Sequence, residues 1–301
     1  MKRRAFLKRT GGAMPLMACP EYLISPLMKP RLRFGLLADI HYARAEILWN
    51  RYFDQSRTKL LDAINLFNKE DLDFLIELGD FKDEGRPPNW QETIDFLIDI
   101  EEAINRFDGP VYHVLGNHDM DSISKNDFLS RIRNFGQEKA RNYYSFEKGG
   151  IRFLVLDPNY NADGSDYDSG NFDWTSSVVP PDQVDWLKAE LSDSKLPVVV
   201  FIHQLIDSFS GIPEDYCVNN AVEIVRILET SSKVLAVFQG HYHNGHYSFR
   251  NGIHYYTMKA MVEGSLPENN SYAIVEIDDH MNIAVRGFHN CESREMKYRH
   301  A

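Results

Sequence analysis

Cysteine is scarce in this chain. Three residues in 301, Cys19, Cys217 and Cys291, cannot build a disulfide framework and stand in no paired zinc-binding spacing, which excludes a small stapled fold. Long apolar runs are missing as well. No stretch reaches the roughly 18 apolar residues that a membrane-spanning helix needs. Positive charge is in deficit: 33 Lys and Arg against 44 Asp and Glu leave a net charge of −11. That balance argues against a broad contact with DNA or RNA, so no nucleic-acid polymer is expected as a partner. An acidic protein acting on an anionic substrate needs a local positive centre, which bound divalent cations could supply. No internal repeat or Gly/Ser linker divides the chain, and 43% apolar content is ample for one sizeable core.

What is present is a set of short apolar runs that end in metal-ligand residue types. Val111-Tyr112-His113-Val114-Leu115 runs into Gly116-Asn117-His118-Asp119. Phe34 to Ala38 ends in Asp39-Ile40-His41, and Phe74 to Leu78 in Gly79-Asp80-Phe81-Lys82-Asp83. Val198 to Ile202 ends in His203, and Val234 to Phe238 in Gln239-Gly240-His241-Tyr242-His243. Asp39, Asp80 and Asn117 could each cap a helix. Capping has no use for histidines, so five such ends point to one shared site.

From Arg31 onward these runs alternate with amphipathic stretches, the pattern of an α/β protein. Helices are expected over Tyr52–Lys69, Trp90–Phe107, Phe128–Phe135, from Pro181, and over Asn219–Leu228. Their apolar sides include Leu60, Ile64 and Phe67; Ile94, Leu97, Ile98 and Ile104; and Val222, Val225 and Ile227. Glu147-Lys148-Gly149-Gly150 between two apolar runs is a hairpin signal, and short strands return beyond His243. The two hairpin-rich stretches suggest two packed sheets with helices outside each. Pro158 to Pro181 is polar, long and without periodicity, the mark of a functional or mobile loop, and a lid is expected there.

The first 30 residues stand apart as a signal and linker, leaving 31–301 as the single domain. Lys2-Arg3-Arg4-Ala5-Phe6-Leu7-Lys8 resembles the twin-arginine export signal, and a short apolar stretch follows it. Export to the periplasm or cell envelope is the expectation. Leu16-Met17-Ala18-Cys19 is similar to a lipoprotein processing box, which would make Cys19 a lipid anchor, although Met17 is not the usual small residue.

Asp39, His41, Asp80, Asn117, His203, His241 and His243 contain no thiolate, which disfavours a closed structural zinc site. Mixed carboxylate and imidazole donors suit Mn, Fe or Zn in an open catalytic site. Seven donors exceed the needs of one ion. Two ions sharing a carboxylate fit better, and such a pair can hold a hydroxide nucleophile and stabilise charge on a phosphoryl oxygen.

Asp39-x-His41, Gly79-Asp80-x-x-Asp83, Gly116-Asn117-His118-Asp119, His203 and Gly240-His241-x-His243 match in order the five motifs of the calcineurin-like metallophosphoesterases. The resemblance implies a four-layer α/β/β/α sandwich of two mixed sheets and a site for two divalent metals. It implies that Asp39, His41 and His243 hold the first metal, that Asn117, His203 and His241 hold the second, and that Asp80 bridges them. It also implies that His118 protonates the leaving oxygen, with Asp119 orienting it.

Arg51-Tyr52-Phe53, Gly109 to Asp119 and Tyr143-Tyr144-Ser145-Phe146 look more narrowly like the manganese-dependent ADP-ribose/CDP-alcohol diphosphatases. That group commonly has Gln where His41 stands and Leu-Pro where Gln204-Leu205 follows His203, departures that bear on metal preference and substrate. The expected activity is hydrolysis of a phosphodiester or pyrophosphate bond of a small phosphorylated molecule, with manganese favoured by the resemblance. The alternatives are an exported phosphomonoesterase, a phospholipid or cell-wall phosphodiesterase, and a metal-binding protein without turnover. Among loop residues near the site, Tyr42 and Tyr242 could stack on a nucleobase and Arg44 could grip a phosphate. His113 is expected to pack in the core, and Asp83 to support a ligand rather than act as one.

Overall fold

The apolar runs that end in metal-type residues are the central strands of two sheets. The computed structural model describes residues 30–298, so the expected export segment, with Cys19, lies outside the described residues apart from Pro30. In the first sheet β1 (Leu32–Leu37), β2 (Phe74–Glu77) and β3 (Val111–His113) run parallel. The second sheet opens with the hairpin β4 (Tyr144–Lys148) and β5 (Ile151–Val155), followed by parallel β6 (Val198–Phe201) and β7 (Val234–Gln239). It closes with β8 (His246–Arg250) and β9 (Ile253–Thr257). The chain then returns to the first sheet as β10 (Ser271–Ile277), β11 (Ile283–His289) and β12 (Arg294–Met296). The strand orders are β12-β11-β10-β1-β2-β3 and β4-β5-β6-β7-β9-β8, two mixed sheets of six.

Three apolar layers hold the sheets and helices together. Between the sheets lie Phe34, Phe74, Phe153, Phe201 and Phe238, all buried, with Phe34 and Phe74 stacked at 4.8 Å. Aromatic pairs of this kind add about 0.5–1.5 kcal/mol each beyond their buried area. α1 (Ser56–Phe67) and α2 (Trp90–Ile104) cover the outer face of the first sheet through Leu60, Ile64, Phe67, Ile94 and Leu97. A short α3 (Lys125–Leu129) follows β3. α4 (Pro181–Asp193) and α5 (Ala221–Ser231) cover the second sheet through Val184, Leu187, Ile224 and Leu228. The four-layer α/β/β/α sandwich is therefore the observed architecture.

Several local expectations change. α3 begins at Lys125 rather than Phe128, because Ser124 accepts from the Asp127 amide and Asp127 reciprocates in a capping box. The segment after it turns instead of coiling, since the Asn134 side chain accepts the His113 amide and the Phe135 amide bonds to the Val111 carbonyl. Ile98 and Val222 are exposed, at 43% and 76%, and the buried side of α5 is Ala221, Ile224, Val225 and Leu228. Residues 158–181 form a wall anchored at several points. Tyr167 is fully buried, its hydroxyl donates to the Asp173 and Ser176 carbonyls, and Lys125 ties Asp157 to Asp166.

Candidate metal centre

Parallel strands all present their carboxyl ends on one edge of a sheet, where ligands gather in α/β folds. Asp39 follows β1, Asp80 follows β2, Asn117 follows β3, His203 follows β6, and His241 and His243 follow β7. Both sheets therefore deliver donors to the same end of the sandwich, and six of the seven expected residues fall into two close groups. Asp39, His41 and His243 place one ligand atom each within 4.8 Å of one another, as do Asp80, His203 and His241. Asp80 Oδ2 links the two groups, 3.4 Å from His41 Nε2 and 3.2 Å from His203 Nε2.

The backbone accepts strain to aim these side chains. Asp39, His41, Asp80 and His241 all have positive φ, between 47° and 66°, a region that costs a non-glycine residue about 1–3 kcal/mol and persists where surrounding structure holds it. Two glycines make the approach of the β2 and β3 ends feasible. A Cβ on Gly116 would stand 2.1 Å from the Asp80 amide nitrogen, and one on Gly79 would stand 2.5 Å from the Gly116 nitrogen.

Supporting hydrogen bonds fix the ring orientations. His41 Nδ1 meets Asp83 Oδ2 at 3.0 Å, His203 Nδ1 donates to the Leu78 carbonyl at 2.7 Å, and His243 Nδ1 meets Glu263 Oε1 at 2.8 Å. In each ring the other nitrogen is left for the centre, the arrangement by which outer partners orient metal-ligating histidines. Asp83 thus supports His41 as expected, whereas Glu263 carried no recognisable signal in the sequence.

Burial and mutual charge shift these groups strongly. Burial pushes the Asp39 carboxyl up to about 6 and the His41 imidazole down to about 3. His203 is buried too, yet the Asp80 and Asp39 carboxylates outweigh burial and raise it to about 9. Burial also raises the Asp80 carboxyl, but His203, His118 and His41 together hold it well below the usual range.

Four buried atoms in this cluster lack a hydrogen-bond partner: Asp39 Oδ2, Asn117 Oδ1, His203 Nε2 and His241 Nε2. Buried polar atoms are rarely left so, since each costs about 1–3 kcal/mol. All four belong to the expected ligand set, so the residues present fit a divalent metal pair.

His118 and Asp119 part company. His118 Nδ1 pairs with Asp121 Oδ2 at 2.5 Å and lies 3.7 Å from Asp83 Oδ2. Burial opposes its charge, but Asp121, Asp83 and Asp80 outweigh burial and raise it to about 10, which favours the protonated ring. Asp119 is fully buried and accepts the backbone amides of Asp80, Phe81 and Gly116 at 2.8–3.1 Å. The expectation that Asp119 orients His118 is therefore corrected: Asp121 does so, and Asp119 staples the β2 and β3 turns together.

The expected substrate contacts also divide. Tyr42 is buried among the residues under α2 and donates its hydroxyl to Asp99 at 2.6 Å, so it faces away from the centre. Arg44 approaches the same carboxylate at 3.6 Å. Tyr242 packs edge-on against Tyr216 at 4.9 Å, and Tyr216 and Trp174 stand 5.6 and 5.7 Å from the His241 ring. Trp174 comes from the 158–181 wall and is 42% exposed. The two rings were missed in the sequence because both lie in aperiodic loops. His113 packs between Glu77 and Glu101, at 3.0 and 3.3 Å, as a core histidine.

A family model of the calcineurin-like phosphoesterases matches residues 32–245. A manganese-dependent ADP-ribose/CDP-alcohol diphosphatase of Oryza sativa subsp. japonica is 25% identical over 294 residues, covering 83% of this chain and 89% of its own. A 3',5'-cyclic-nucleotide phosphodiesterase of Nostoc sp. is 25% identical over 189 residues, 62% of each chain. Among solved structures a dimetal phosphatase from Danio rerio has the same fold, with a TM-score of 0.76 at 20% identity over 90% of this chain and 100% of that one. The family match runs from β1 through the turn that carries His241 and His243, so the strands and the centre fall within it together. The chain belongs to the calcineurin-like phosphoesterases and is a metal-dependent hydrolase.

Proposed function

We propose that this hydrolase cleaves a phosphodiester or pyrophosphate bond in a small nucleotide-like molecule, with two divalent ions at the sheet edge. The observation that carries the reading is Asp80 Oδ2, which lies within 3.4 Å of donors from both ligand groups. Asp39, His41 and His243 would hold one ion, Asn117, His203 and His241 the other, and Asp80 would be shared. When bound, such ions supply positive charge for the phosphoryl oxygens and acidify a water molecule. Manganese is the favoured metal on the strength of the rice relative's name.

His118 supplies the proton. Its Nδ1 is occupied by Asp121, so Nε2 is the nitrogen left to give a proton to the departing oxygen, a role for which the raised pKa keeps it charged. Trp174, Tyr216 and Tyr242 form a ring-lined flank on the His241 side, suited to a planar base attached to the leaving or retained phosphate. The amino-terminal Arg3-Arg4 pair supports export. Replacing both with lysine should retain the protein in the cytoplasm, and unchanged export would remove that part of the reading.

The test is a substrate panel on manganese-reconstituted protein: ADP-ribose, CDP-choline, a cyclic nucleotide, an aryl phosphomonoester and an aryl phosphodiester. Selective cleavage of one of the nucleotides is expected, with Trp174→Ala raising KM for it about tenfold and leaving the aryl esters unaffected. Turnover of the aryl esters alone would discard the nucleotide-like substrate class.

A further inference from the structure

Beside the metal centre, where β9 ends and β8 begins, the second sheet and the β11–β12 connection enclose a cavity of about 320 Å³. His246, Lys259 and Arg294 line it. His246 Nε2 and Arg294 Nε are buried and have no hydrogen-bond partner. Lys259 forms no ion pair with any described residue. The one acidic residue on the wall, Glu292, has a side chain 69% exposed and stands 3.9 Å from Arg294 Nη2, too far for a hydrogen bond.

Several other cations with little access to water are closed by carboxylates. Lys125 has two aspartates, Arg33 has Glu70 and Glu276, and Arg152 has Glu147 and Glu190. In a chain with eleven more acidic than basic residues, leaving two buried nitrogens without a partner beside a half-buried lysine is costly unless an anion completes the cavity. The donors are also held in place. The Arg294 guanidinium lies 4.0 Å over the Tyr247 ring, and a Cβ on Gly245 would stand 2.9 Å from Lys259 Cγ, so glycine there lets the lysine stem cross the cavity wall.

We propose that the His246–Lys259–Arg294 cavity is an oxyanion site that takes a phosphate group. It adjoins the metal centre through the backbone, since Ala260 donates its amide to the His243 carbonyl and Gly245 follows His243 by two residues. The phosphate can be a second phosphate of the substrate or a separate anion. Binding at the cavity does not depend on the substrate reading above, and only the choice between those two sources does.

The experiment is calorimetric titration of inorganic phosphate into the metal-loaded protein and into K259Q/R294Q of equal metal content and equal Tm. The wild type is expected to bind one more equivalent of phosphate than the double variant, or to bind it at least about tenfold tighter, the weight of lost charge-assisted hydrogen bonds. Lys259→Arg should keep the extra equivalent, which separates loss of charge from a disturbed wall. If the site holds a substrate phosphate, the double variant also raises KM for a two-phosphate substrate and not for an aryl phosphomonoester. If it holds a separate anion, both KM values stay and only phosphate binding falls. Equal stoichiometry and affinity in the wild type and the double variant would overturn the site.

Discussion

At the scale of single residues, the proposed proton donor His118 and the stapling Asp119 can be told apart by mutation. His118→Gln should lower kcat by about 10²–10⁴ while metal content stays near the wild-type value, as loss of a general acid does. Asp121→Asn should lower kcat in the same direction through the misplaced ring, whereas Asp119→Asn should chiefly lower Tm, because its carboxylate holds three backbone amides. A result in which Asp119→Asn matched His118→Gln in kcat with Tm unchanged would restore the pairing that the sequence suggested. Sequence adjacency could not separate these two aspartates. The turn after Asn117 sends consecutive side chains to opposite sides, so residue 119 points into the core while residue 121 comes round beside the imidazole. The candidate ligands were legible because each follows an apolar run with a chemistry that capping does not need. Glu263, Trp174 and Tyr216 were not, since they reach the centre from loops with no periodic signal.

At the scale of elements, the centre depends on how closely strand ends and loops approach. Gly116→Ala places a Cβ against the Asp80 backbone and carboxylate, so it should cost about 1–3 kcal/mol of stability, as overpacking does, and weaken metal binding with it. Wild-type Tm and metal affinity in that variant would contradict the close packing of the β2 and β3 turns. A second device is Lys59 on α1, fully buried, whose Nζ donates to the carbonyls of Met261, Val262, Glu263 and Gly264 at 2.6–3.1 Å. That segment carries the Glu263 carboxylate to His243. Lys59→Met leaves buried carbonyls without a donor, so it should lower stability by about 1–3 kcal/mol and metal affinity about 10–100-fold, read by denaturant unfolding and metal titration. The helix was visible in the sequence from Leu60, Ile64 and Phe67. The role of its lysine was not, because a charged residue on an amphipathic helix reads as solvent-facing. The shifted α3 has a local cause: the capping box at Ser124 fixes where the helix starts.

At the scale of the whole molecule, the two sheets act as one frame because each contributes candidate donors to a single edge. The first sheet is stiffened beneath that edge by the buried Glu77–His113–Glu101 chain, and Glu77 also accepts the Gly79 amide at 2.8 Å. Burial disfavours a charged His113, but Glu101 and Glu77 outweigh it and raise the ring to about 10. An unfolded histidine titrates near 6.5, so the folded state holds this proton more tightly. Its stabilising contribution is full below about pH 6.5 and is lost as pH rises through about 10. The stability difference between wild type and His113→Gln should therefore be largest near pH 6 and shrink toward pH 10. A difference independent of pH would mean that the ring is neutral. The sandwich was readable from alternation and hairpin signals, but β8 and β12 were not, being edge strands of mixed polarity whose order depends on neighbours distant in sequence.

In the proposed centre two metals share Asp80 between the strand ends of both sheets. The measurement that tests it most directly is manganese stoichiometry of the metal-depleted protein by titration, followed by elemental analysis, for the wild type and Asp80→Ala. Two equivalents in the wild type, with loss of most binding of both in the variant and a metal-dependent rise in wild-type Tm, are the predicted result. One equivalent in the wild type, or two that survive Asp80→Ala, would contradict a shared carboxylate.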